Sequence, residues 1–281
     1  MTLTNTTSKT LFITGVSSGF GLALAQQALL AGHRVIGTVR NEEARLAFET
    51  LQPGRAFGRI LDVSDAGAIG AVAMEVERTL GVIDVLVNNA GYGHEGVLEE
   101  SPLDELRRQF DVNVFGAVAM IKAFLPAMRA RRSGHIINIT SMGGHVGMPG
   151  VAYYCGSKFA LEGISEALGM ELAPFGIHVT AVAPGSFRTD WAGRSMQRSP
   201  RSIADYDEDF GPIRQAREEK SGKQLGDPAK GARAILTMLD SAAPPAHLLL
   251  GSDGLAIVRA KLAALSDQID AWETLSLSTD H

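Results

Sequence analysis

The segment YYCGSK at residues 153–158 contains a tyrosine and a lysine whose spacing could support proton transfer. Tyr154 and Lys158 are four residues apart, so they share one face of a helix, whereas Tyr153 diverges from Lys158 by about 140° on the same geometry. A tyrosine ordinarily titrates at about pH 10, and a nearby ammonium stabilises the phenolate and lowers that pKa. If one tyrosine works with this lysine, it is therefore Tyr154.

A glycine-rich segment, TGVSSGFG (14–21), follows the first predicted strand and opens the first predicted helix. Glycines let such a turn tighten and approach a pyrophosphate, whose charge is then held by the N–H groups and the positive dipole of the helix start. A plain structural turn uses glycine too, so the position between strand and helix is what favours a dinucleotide site. The turn residues expected to contact the cofactor are Gly15, Ser17, Ser18, Gly19, Phe20 and Gly21.

The end of the second predicted strand, GTVRN, indicates which dinucleotide is bound. An acid there would bond the adenosine ribose 2′-OH and favour NAD, but the segment contains Arg40 and no acid. An arginine fork suits a 2′-phosphate, so the segment favours NADP, although Arg40 could also be a solvated surface residue. Asp62 and Val63, after the third predicted strand, are expected beside the adenine, with a turn or helix cap as the alternative for Asp62.

Composition limits the classes of protein that this chain can belong to. The 281 residues are 45% hydrophobic and 20% charged, as in an ordinary globular protein with a large core. The net charge of -5 disfavours nucleic acid as a partner. One cysteine rules out an internal disulfide and fits a reducing compartment. The polar start MTLTNTTSK lacks a signal-like apolar region, and no apolar run suggests a bilayer span, so the expectation is a cytoplasmic protein without a membrane partner.

Short apolar segments alternate with longer helical patterns along the chain. The predicted strands are TLFIT (10–14), RVIGTV (34–39), AFGRIL (56–61), DVLVN (84–88), HIINIT (135–140), HVTAVA (178–183) and HLLLG (247–251). Predicted helices include 19–32, 66–81 and 104–132. This rhythm predicts an α/β fold: a single Rossmann-type, doubly wound parallel sheet of about seven strands with helices on both faces. One domain is expected over 1–281, with its core at about 9–251.

Two regions depart from the alternation. Residues 190–226 have dense mixed charge and no strand pattern, which is typical of a substrate lid or a disordered loop. Arginines at 194, 198, 201, 214 and 217 could grip an anion, but neighbouring acids offset them, which favours a solvated, mobile lid. Residues 253–276 return to helical spacing and predict a C-terminal helix packed on the domain.

Six motifs in this order resemble the short-chain dehydrogenase/reductase family, near its hydroxysteroid and retinol dehydrogenases and carbonyl reductases. They are the glycine turn, NNAG (88–91), Asn113 in the following long helix, INITS ending at Ser141, YCGSK (154–158) and PGSFRT (184–189). They extend from about Lys9 to Gly251. The family's alternative basic residue inside the glycine turn is absent, since Ser18 stands there, so the NADP prediction depends on Arg40.

The resemblance implies a role for each matching residue. Tyr154 would be the general acid in reduction and the base in oxidation, and Lys158 would lower its pKa and bond the nicotinamide ribose. Ser141 would orient the substrate carbonyl. Asn113 would hold a water that links Lys158 to solvent, with bonding to a helix-kink carbonyl as its alternative. Further cofactor contacts are implied for Asn89, Ala90, Gly91, Pro184, Gly185, Phe187 and Thr189.

Other conspicuous residues receive plainer interpretations. Cys155 is turned about 100° from Tyr154 on a helix and is expected to be a buried spacer. The histidines show no paired metal spacing, so no metal is predicted. His145 and Met148, in the loop before the catalytic helix, are candidate substrate contacts, with loop packing as the alternative. Trp191 and Phe187 could form an apolar wall.

These expectations combine into an NADP-dependent enzyme acting on a carbonyl or secondary alcohol of a fairly apolar small molecule. Two alternatives stay open: an NAD-dependent sugar or polyol dehydrogenase, and an NADP(H)-sensing protein without turnover. The intact set of Asn113, Ser141, Tyr154 and Lys158 argues against a sensor. The resemblance also implies a homo-oligomer, dimer or tetramer, that pairs through helices at about 104–131 and 154–173.

Overall fold

The computed structural model describes residues 8–193 and 195–281, so most of the polar N-terminal segment and Arg194 lie outside it. Over this part of the chain, strands alternate with helices as the sequence predicts. The strands are β1 (Thr10–Ile13), β2 (Arg34–Val39), β3 (Ala56–Ile60), β4 (Val85–Asn88), β5 (Gly93–Glu95), β6 (Gly134–Ile139), β7 (Ile177–Pro184), β8 (Met196–Arg198) and β9 (His247–Leu250).

Seven of these strands form one parallel sheet in the order β3-β2-β1-β4-β6-β7-β9. All seven predicted segments are strands of this sheet, which confirms the prediction of a doubly wound sheet. The order reverses between β1 and β4, and the carboxyl ends of strands at such a point form the crevice in which this architecture binds ligands. The glycine turn follows β1, and the NNAG segment follows β4, so both lie at this crevice.

Helices cover both faces of the sheet. They are α1 (Gly19–Leu30), α2 (Glu42–Glu49), α3 (Ala66–Leu80), α4 (Leu103–Phe110), α5 (Gly116–Arg131), α6 (Ala152–Leu172), α7 (Asp207–Glu219), α8 (Pro228–Leu239) and α9 (Ser252–Leu277). One buried cluster joins α1 and α8 to the sheet, and a second joins α3 and α5 to its other face. Alternate strand side chains enter the two clusters: Leu11 and Ile13 one, and Phe12 the other. Burial on both faces explains why the strands show little polar alternation.

The predicted helix at 104–132 is interrupted. A π-helical turn, Asp111–Phe115, separates α4 from α5 and carries Asn113. The sequence pattern missed this break because the turn contains no proline or glycine and its apolar spacing continues. The whole run, Leu103–Arg131, is long and apolar enough to cross a membrane by length and composition alone. It packs on the sheet through Met120, Ile121 and Phe124, as a core helix does.

The charged region at 190–226 has more structure than the sequence suggests. Strand β8 pairs in parallel with β5, and α7 follows. Glu95 on β5 is buried and accepts hydrogen bonds from Arg198 and Arg217, with the Arg198 Nε 2.7 Å away. Arg198 and Arg217 are therefore paired with a buried carboxylate that lies distant in the sequence, although α7 itself has no buried residue. The lid role of the segment stays a prediction.

The predicted C-terminal helix is present as α9, but only its first two turns pack on the domain. Gly254 and Val258 are its buried residues. Beyond them the helix projects into solvent, so the prediction that it packs on the domain holds only for its beginning.

Candidate active site

Helix α6 separates the two tyrosines as helical geometry predicts. The Tyr153 hydroxyl donates to the Ser101 carbonyl at 2.8 Å, and its ring stacks on His94. These contacts make Tyr153 a packing residue. Tyr154 lies on the face that carries Lys158, and the Lys158 Nζ is 5.8 Å from its ring centroid. Cys155 is buried beside Val151, as expected of a spacer, and burial raises the pKa of its thiol.

The end of β6 brings Ser141 to Tyr154, and a hydrogen bond links the two side chains. The Ser141 hydroxyl also accepts the Gly143 N–H at 3.0 Å, which caps a short 3₁₀ turn. Gly144 lets this turn lie against α6, since a Cβ there would stand 2.9 Å from Glu162 and 3.0 Å from the Lys158 carbonyl. Residues at 141, 154 and 158 thus meet only after the sheet and α6 have packed together.

Burial is the main cause of the pKa shifts of Tyr154 and Lys158. It lowers the pKa of Lys158 to about 8, against the opposing effect of Glu162. Burial raises the pKa of Tyr154, and the hydrogen bond with Ser141 offsets this only in part. This direction is opposite to the lowering of the Tyr154 pKa that was predicted from Lys158. The lysine ammonium donates to the Ile139 carbonyl at 2.8 Å. Desolvation of the phenolate therefore outweighs the distant ammonium.

Asn113 is buried in the π turn, and Gly91 lies between it and Lys158. Its amide donates to the Tyr92 carbonyl and to the Ser157 hydroxyl, and its carbonyl oxygen accepts the Tyr92 N–H, all at 3.1 Å. A Cβ on Gly91 would lie 3.0 Å from the Asn113 oxygen and 3.7 Å from the Lys158 Nζ. Asn113 thus ties a backbone segment beside the lysine, but the carbonyl that it bonds belongs to the loop after β4 and not to the helix kink of the alternative. A bridging water stays a prediction.

The glycine turn fits a bound pyrophosphate. Gly15 and Gly19 have φ angles of +73° and +62°, which favour glycine. A Cβ on Gly21 would stand 2.3 Å from the Asn89 amide nitrogen. That amide donates to the carbonyls of Thr14 and Gly15 and so connects the NNAG segment to the turn. The Ser18 hydroxyl caps no N–H of α1, and Ser17 is exposed, so both hydroxyls can serve a ligand.

Thr14 and Thr38 were missed as supports of the turn. The Thr14 hydroxyl accepts the N–H groups of Asn89 and Ala90, both at 2.9 Å, and the Thr38 hydroxyl accepts the Gly15 N–H at 3.0 Å. The sequence signal for this supporting role was the position of both threonines at the ends of predicted buried strands.

Arg40 and Asp62 lie at the adjacent edge of the sheet, where β2 and β3 end. Arg40 is exposed and near enough to Asp62 to contribute to its low pKa, although hydrogen bonds from Ser64 are the main cause. Both Ser64 donors bond one Asp62 oxygen, at 2.9 Å and 2.7 Å. This is the turn role left open for Asp62. Val63 is buried against Gly116, where a Cβ would stand 2.6 Å from the Val63 carbonyl.

The PGSFRT segment is held by the start of α9. Asp253 accepts the Ser186 N–H at 2.9 Å, and a Cβ on Gly185 would stand 2.4 Å from the same carboxylate. Sequence reasoning assigned no role to Asp253, although its position in the first turn of a predicted helix was an available signal. The Phe187 ring packs edge-on against Phe20, 5.5 Å between centroids, within the α1 and α8 cluster. Phe20 is buried in this cluster, whereas Phe187 is only partly buried.

The remaining predicted residues of the segment are only partly buried. Pro184 ends β7, and the Thr189 hydroxyl accepts the Trp191 N–H at 3.4 Å. The Trp191 ring then lies on Tyr154, with centroids 4.9 Å apart, and Met148 joins the same apolar cluster. Of the two residues predicted to form an apolar wall, Trp191 therefore lies beside the tyrosine, whereas Phe187 packs against Phe20. Within the described residues, the buried indole nitrogen of Trp191 has no hydrogen-bond partner.

Glu162 is a buried acid that sequence reasoning missed. It follows Lys158 by four residues, the same spacing that links Tyr154 to Lys158. The Glu162 oxygens contact Thr140, His145 at 3.2 Å and His247 at 2.9 Å. The carboxylate raises the pKa of His145, whose contacts are those of loop packing.

The two histidines and Glu162 place three possible ligand atoms within 4.8 Å of one another. No motif in the sequence indicated this grouping, because the residues come from a loop, α6 and β9. Each carboxylate oxygen already has a hydrogen-bond partner, Thr140 on one and His247 on the other. The buried Nε2 of His145 approaches a Glu162 oxygen at 3.2 Å, but within the described residues it makes no hydrogen bond.

A doubly wound sheet with a glycine turn at its switch point is typical of dinucleotide-binding proteins. The family model for short chain dehydrogenases matches residues 9–199. The chain belongs to the short-chain dehydrogenase/reductase family.

Curated relatives extend the similarity beyond the matched domain. Oxidoreductase BOA17 of Botryotinia fuckeliana is 37% identical over 97% of this chain and 99% of its own length. The 3-ketodihydrosphingosine reductase of Bacteroides thetaiotaomicron is 37% identical, covering 86% of this chain and 87% of that protein. Human retinol dehydrogenase 8 is 36% identical, over 84% and 79% respectively. The protein is thus an oxidoreductase, and its relatives include one named as a reductase and one named as a dehydrogenase.

Solved structures agree in fold and differ in cofactor. A short-chain dehydrogenase from Streptomyces avermitilis has a TM-score of 0.92 and 41% identity, over 99% of this chain and 100% of that one. ElxO with NADP bound has a TM-score of 0.74 and 25% identity, over 89% and 100%. A Burkholderia phymatum protein in complex with NAD has a TM-score of 0.80 and 27% identity, over 93% and 95%. Neighbours with either dinucleotide therefore share this fold.

Proposed function

We propose that this protein is an NADP-dependent oxidoreductase that transfers a hydride between nicotinamide and a carbonyl or secondary alcohol, with Tyr154 as general acid and base. The observation that carries the proposal is the buried grouping of Ser141, Tyr154 and Lys158 at the sheet edge that also bears the glycine turn. The nicotinamide supplies or accepts the hydride. The residues of the chain then bind the substrate oxygen and transfer a proton to or from it.

Ser141 donates a hydrogen bond to the substrate oxygen and orients it toward Tyr154. As negative charge develops on that oxygen in reduction, the Tyr154 hydroxyl delivers a proton to it. The raised pKa of Tyr154 favours this direction, because it keeps the hydroxyl protonated at neutral pH. Lys158 stabilises the phenolate that forms and bonds the nicotinamide ribose. Asn113, beside Lys158, holds the water that returns the proton.

The phosphate-binding part of the proposal depends on the turn between β1 and α1. Gly15, Gly19 and Gly21 admit the pyrophosphate, and the N–H groups at the start of α1 bond it. The hydroxyls of Ser17 and Ser18 add donors. The NNAG segment, held to the turn by Asn89, lines the adenosine side, with Val63 and Asp62 near the adenine.

The preference for NADP is proposed from Arg40, which is exposed at the end of β2 where a 2′-phosphate would lie. The test is the ratio of kcat/KM with NADPH to that with NADH on a panel of ketones and aldehydes. We expect the wild type to favour NADPH at least tenfold, since a charge-assisted bond contributes about 1.5 kcal/mol or more. Arg40→Asp should reverse the preference. Equal rates with NADH would refute the role of Arg40, and cofactor binding without turnover on the whole panel would refute the enzyme.

The substrate is proposed to be fairly apolar. Trp191 and Met148 form an apolar surface at Tyr154, and two of the relatives are named for 3-ketodihydrosphingosine and retinol. The partnerless indole N–H of Trp191 is assigned to a polar atom of the substrate away from the reacting carbonyl.

The variant Trp191→Phe tests this assignment on the best substrate of the panel, because it keeps an aromatic ring at the position and removes the N–H donor. We expect its KM to rise about tenfold with kcat nearly unchanged. An unchanged KM would exclude the donor role.

The protein is further proposed to act as a homo-oligomer in the cytoplasm. Phe115, Phe159 and Met170 are exposed on the α5 and α6 side, at 60%, 45% and 70%. Such apolar side chains favour burial against a second copy. The single cysteine is consistent with a reducing compartment.

A further inference from the structure

Helix α9 has a second feature besides its anchor at Asp253. Six of its apolar residues recur with alternating steps of three and four, which is the spacing of a coiled-coil seam, while Ile257, Leu275 and Leu277 lie off this spacing. The residues at these positions are Leu255, Val258, Leu262, Leu265, Ile269 and Trp272. The first two lie where the helix packs on the domain, and the last four, here called the α9 seam, lie beyond it.

The α9 seam is exposed. Leu262, Leu265, Ile269 and Trp272 have exposed fractions of 58%, 42%, 61% and 63%. A helix with several large exposed apolar residues on one side is ordinarily covered by a partner. The seam lies outside residues 9–199 matched by the family model, whereas the relatives that match nearly the whole chain extend across it.

Charge along α9 is divided between its two halves. Arg259 and Lys261 lie where the helix leaves the domain, and Asp267, Asp270 and Glu273 lie in its distal half. A parallel partner helix of the same sequence would set like charges beside each other. An antiparallel copy sets basic half against acidic half. The acidic distal half also disfavours an anionic lipid surface as the partner.

We propose that the α9 seam binds the α9 seam of a second copy of this chain as an antiparallel coiled coil. One register satisfies both the seam and the flanking charges: Leu262 packs against Trp272 of the other chain, and Leu265 against Ile269. In the same register Arg259 pairs with Glu273 across the interface, twice by symmetry. The exposed part of α9 is about 28 Å long, so the two domains sit at opposite ends of the coil.

The oligomeric mass of the full chain tests the interface, by sedimentation or light scattering. Ile269→Asp places a charge in the seam and should halve the mass of the wild type. Thr274→Asp adds the same charge on the outer side of the helix and should leave the mass unchanged. NADPH turnover checks that both variants are folded. An Ile269→Asp protein with the wild-type mass, or a monomeric wild type, would overturn the proposal.

The charge pair tests the antiparallel direction. Arg259→Glu should weaken association by roughly fivefold, as expected for two exposed ion pairs. Arg259→Glu combined with Glu273→Arg restores both pairs and should restore the affinity. A double variant as weak as the single one contradicts the register.

Cross-linking and vesicle binding distinguish the remaining arrangements. In the antiparallel coil Ser266 lies close to its own copy, so Ser266→Cys should form a disulfide-linked dimer under oxidation, while Thr274→Cys should not. The native Cys155 is buried. Sedimentation with phosphatidylcholine and phosphatidylserine vesicles should show no seam-dependent binding. Vesicle binding that Ile269→Asp abolishes, with no change of mass, would assign the seam to a membrane instead.

Discussion

At the scale of single residues, neighbouring side chains of one type have opposite roles. Tyr153 donates its hydroxyl to a backbone carbonyl, whereas the Tyr154 hydroxyl meets Ser141. Helical rotation alone produces this division, because adjacent residues differ by about 100°. Chemistry is therefore assigned by the face of α6 and not by residue type.

Replacing the tyrosines separately tests this division. Tyr154→Phe removes the proposed proton donor, and we expect kcat to fall by about 10²–10⁴. Tyr153→Phe removes a buried hydrogen bond, so it should cost about 1 kcal/mol of stability and leave kcat close to wild type. Steady-state kinetics and denaturant unfolding of both variants measure these effects. Near-normal turnover in Tyr154→Phe with loss in Tyr153→Phe would reverse the assignment.

The pKa of Lys158 predicts a pH limit on activity. Because burial lowers this pKa to about 8, the ammonium is lost as pH rises through that value in the free enzyme. We expect kcat/KM for carbonyl reduction to fall above about pH 8. Lys158→Arg keeps a positive charge at high pH. The variant should be less active than the wild type, but its kcat/KM should no longer fall above about pH 8. A wild-type profile that stays flat to pH 10 would contradict the role of the ammonium.

At the scale of elements, the site is assembled at the ends of elements that are distant in the sequence. The glycine turn joins β1 to α1, Ser141 follows β6, and the π turn before α5 carries Asn113. Helix α9 has two roles in this picture: its first turn holds the PGSFRT segment, and its distal part presents the α9 seam. These roles can be tested separately because Asp253 and the seam do not touch.

Removing the Asp253 carboxylate tests the first role. Asp253→Ala loses the acceptor of the Ser186 N–H, so the segment proposed to bracket the nicotinamide is less well held. We expect the KM for the cofactor to rise about tenfold, as for a hydrogen bond to a charged group. Asp267→Ala removes an exposed acid of the same helix and serves as the control. A cofactor KM unchanged in Asp253→Ala would show that the contact is dispensable.

At the scale of the whole molecule, buried titratable groups make stability depend on pH. His135 on β6 contacts the Thr180 hydroxyl at 2.9 Å, and burial, with smaller effects of His178 and Lys9, lowers its pKa from 6.5 to about 4. The folded protein therefore binds this proton less readily than the unfolded chain. Stability is retained above pH 6.5 and lost as pH falls toward 4, by at most about 3 kcal/mol.

Urea unfolding at several pH values measures this loss. His135→Gln should flatten the fall in the free energy of unfolding between pH 6.5 and 4. His281→Gln changes an exposed histidine at the chain end and should leave the slope intact. Glu162, whose pKa is lowered by its hydrogen bonds despite burial, adds a further loss at lower pH that the His135 variant retains. An identical slope in wild type and His135→Gln would exclude His135 as the cause.

The sequence by itself determined the order of elements and the residues of the central motifs. Apolar runs without alternation mark strands buried on both faces, and helical spacing pairs Tyr154 with Lys158; both are local properties of the chain. The π turn at 111–115 was missed because its residues do not differ in type from those of an ordinary helix.

The tertiary structure alone decided how charges and distant partners are used. Glu95 recruits Arg198 and Arg217 from the segment assigned to a solvated lid, and Glu162 gathers groups from three elements. The tertiary structure also decided the direction in which the pKa of Tyr154 shifts, since desolvation depends on all the groups packed around the ring. Sequence spacing reports which residues share a face, whereas burial and long-range pairing arise only when the faces of separate elements meet.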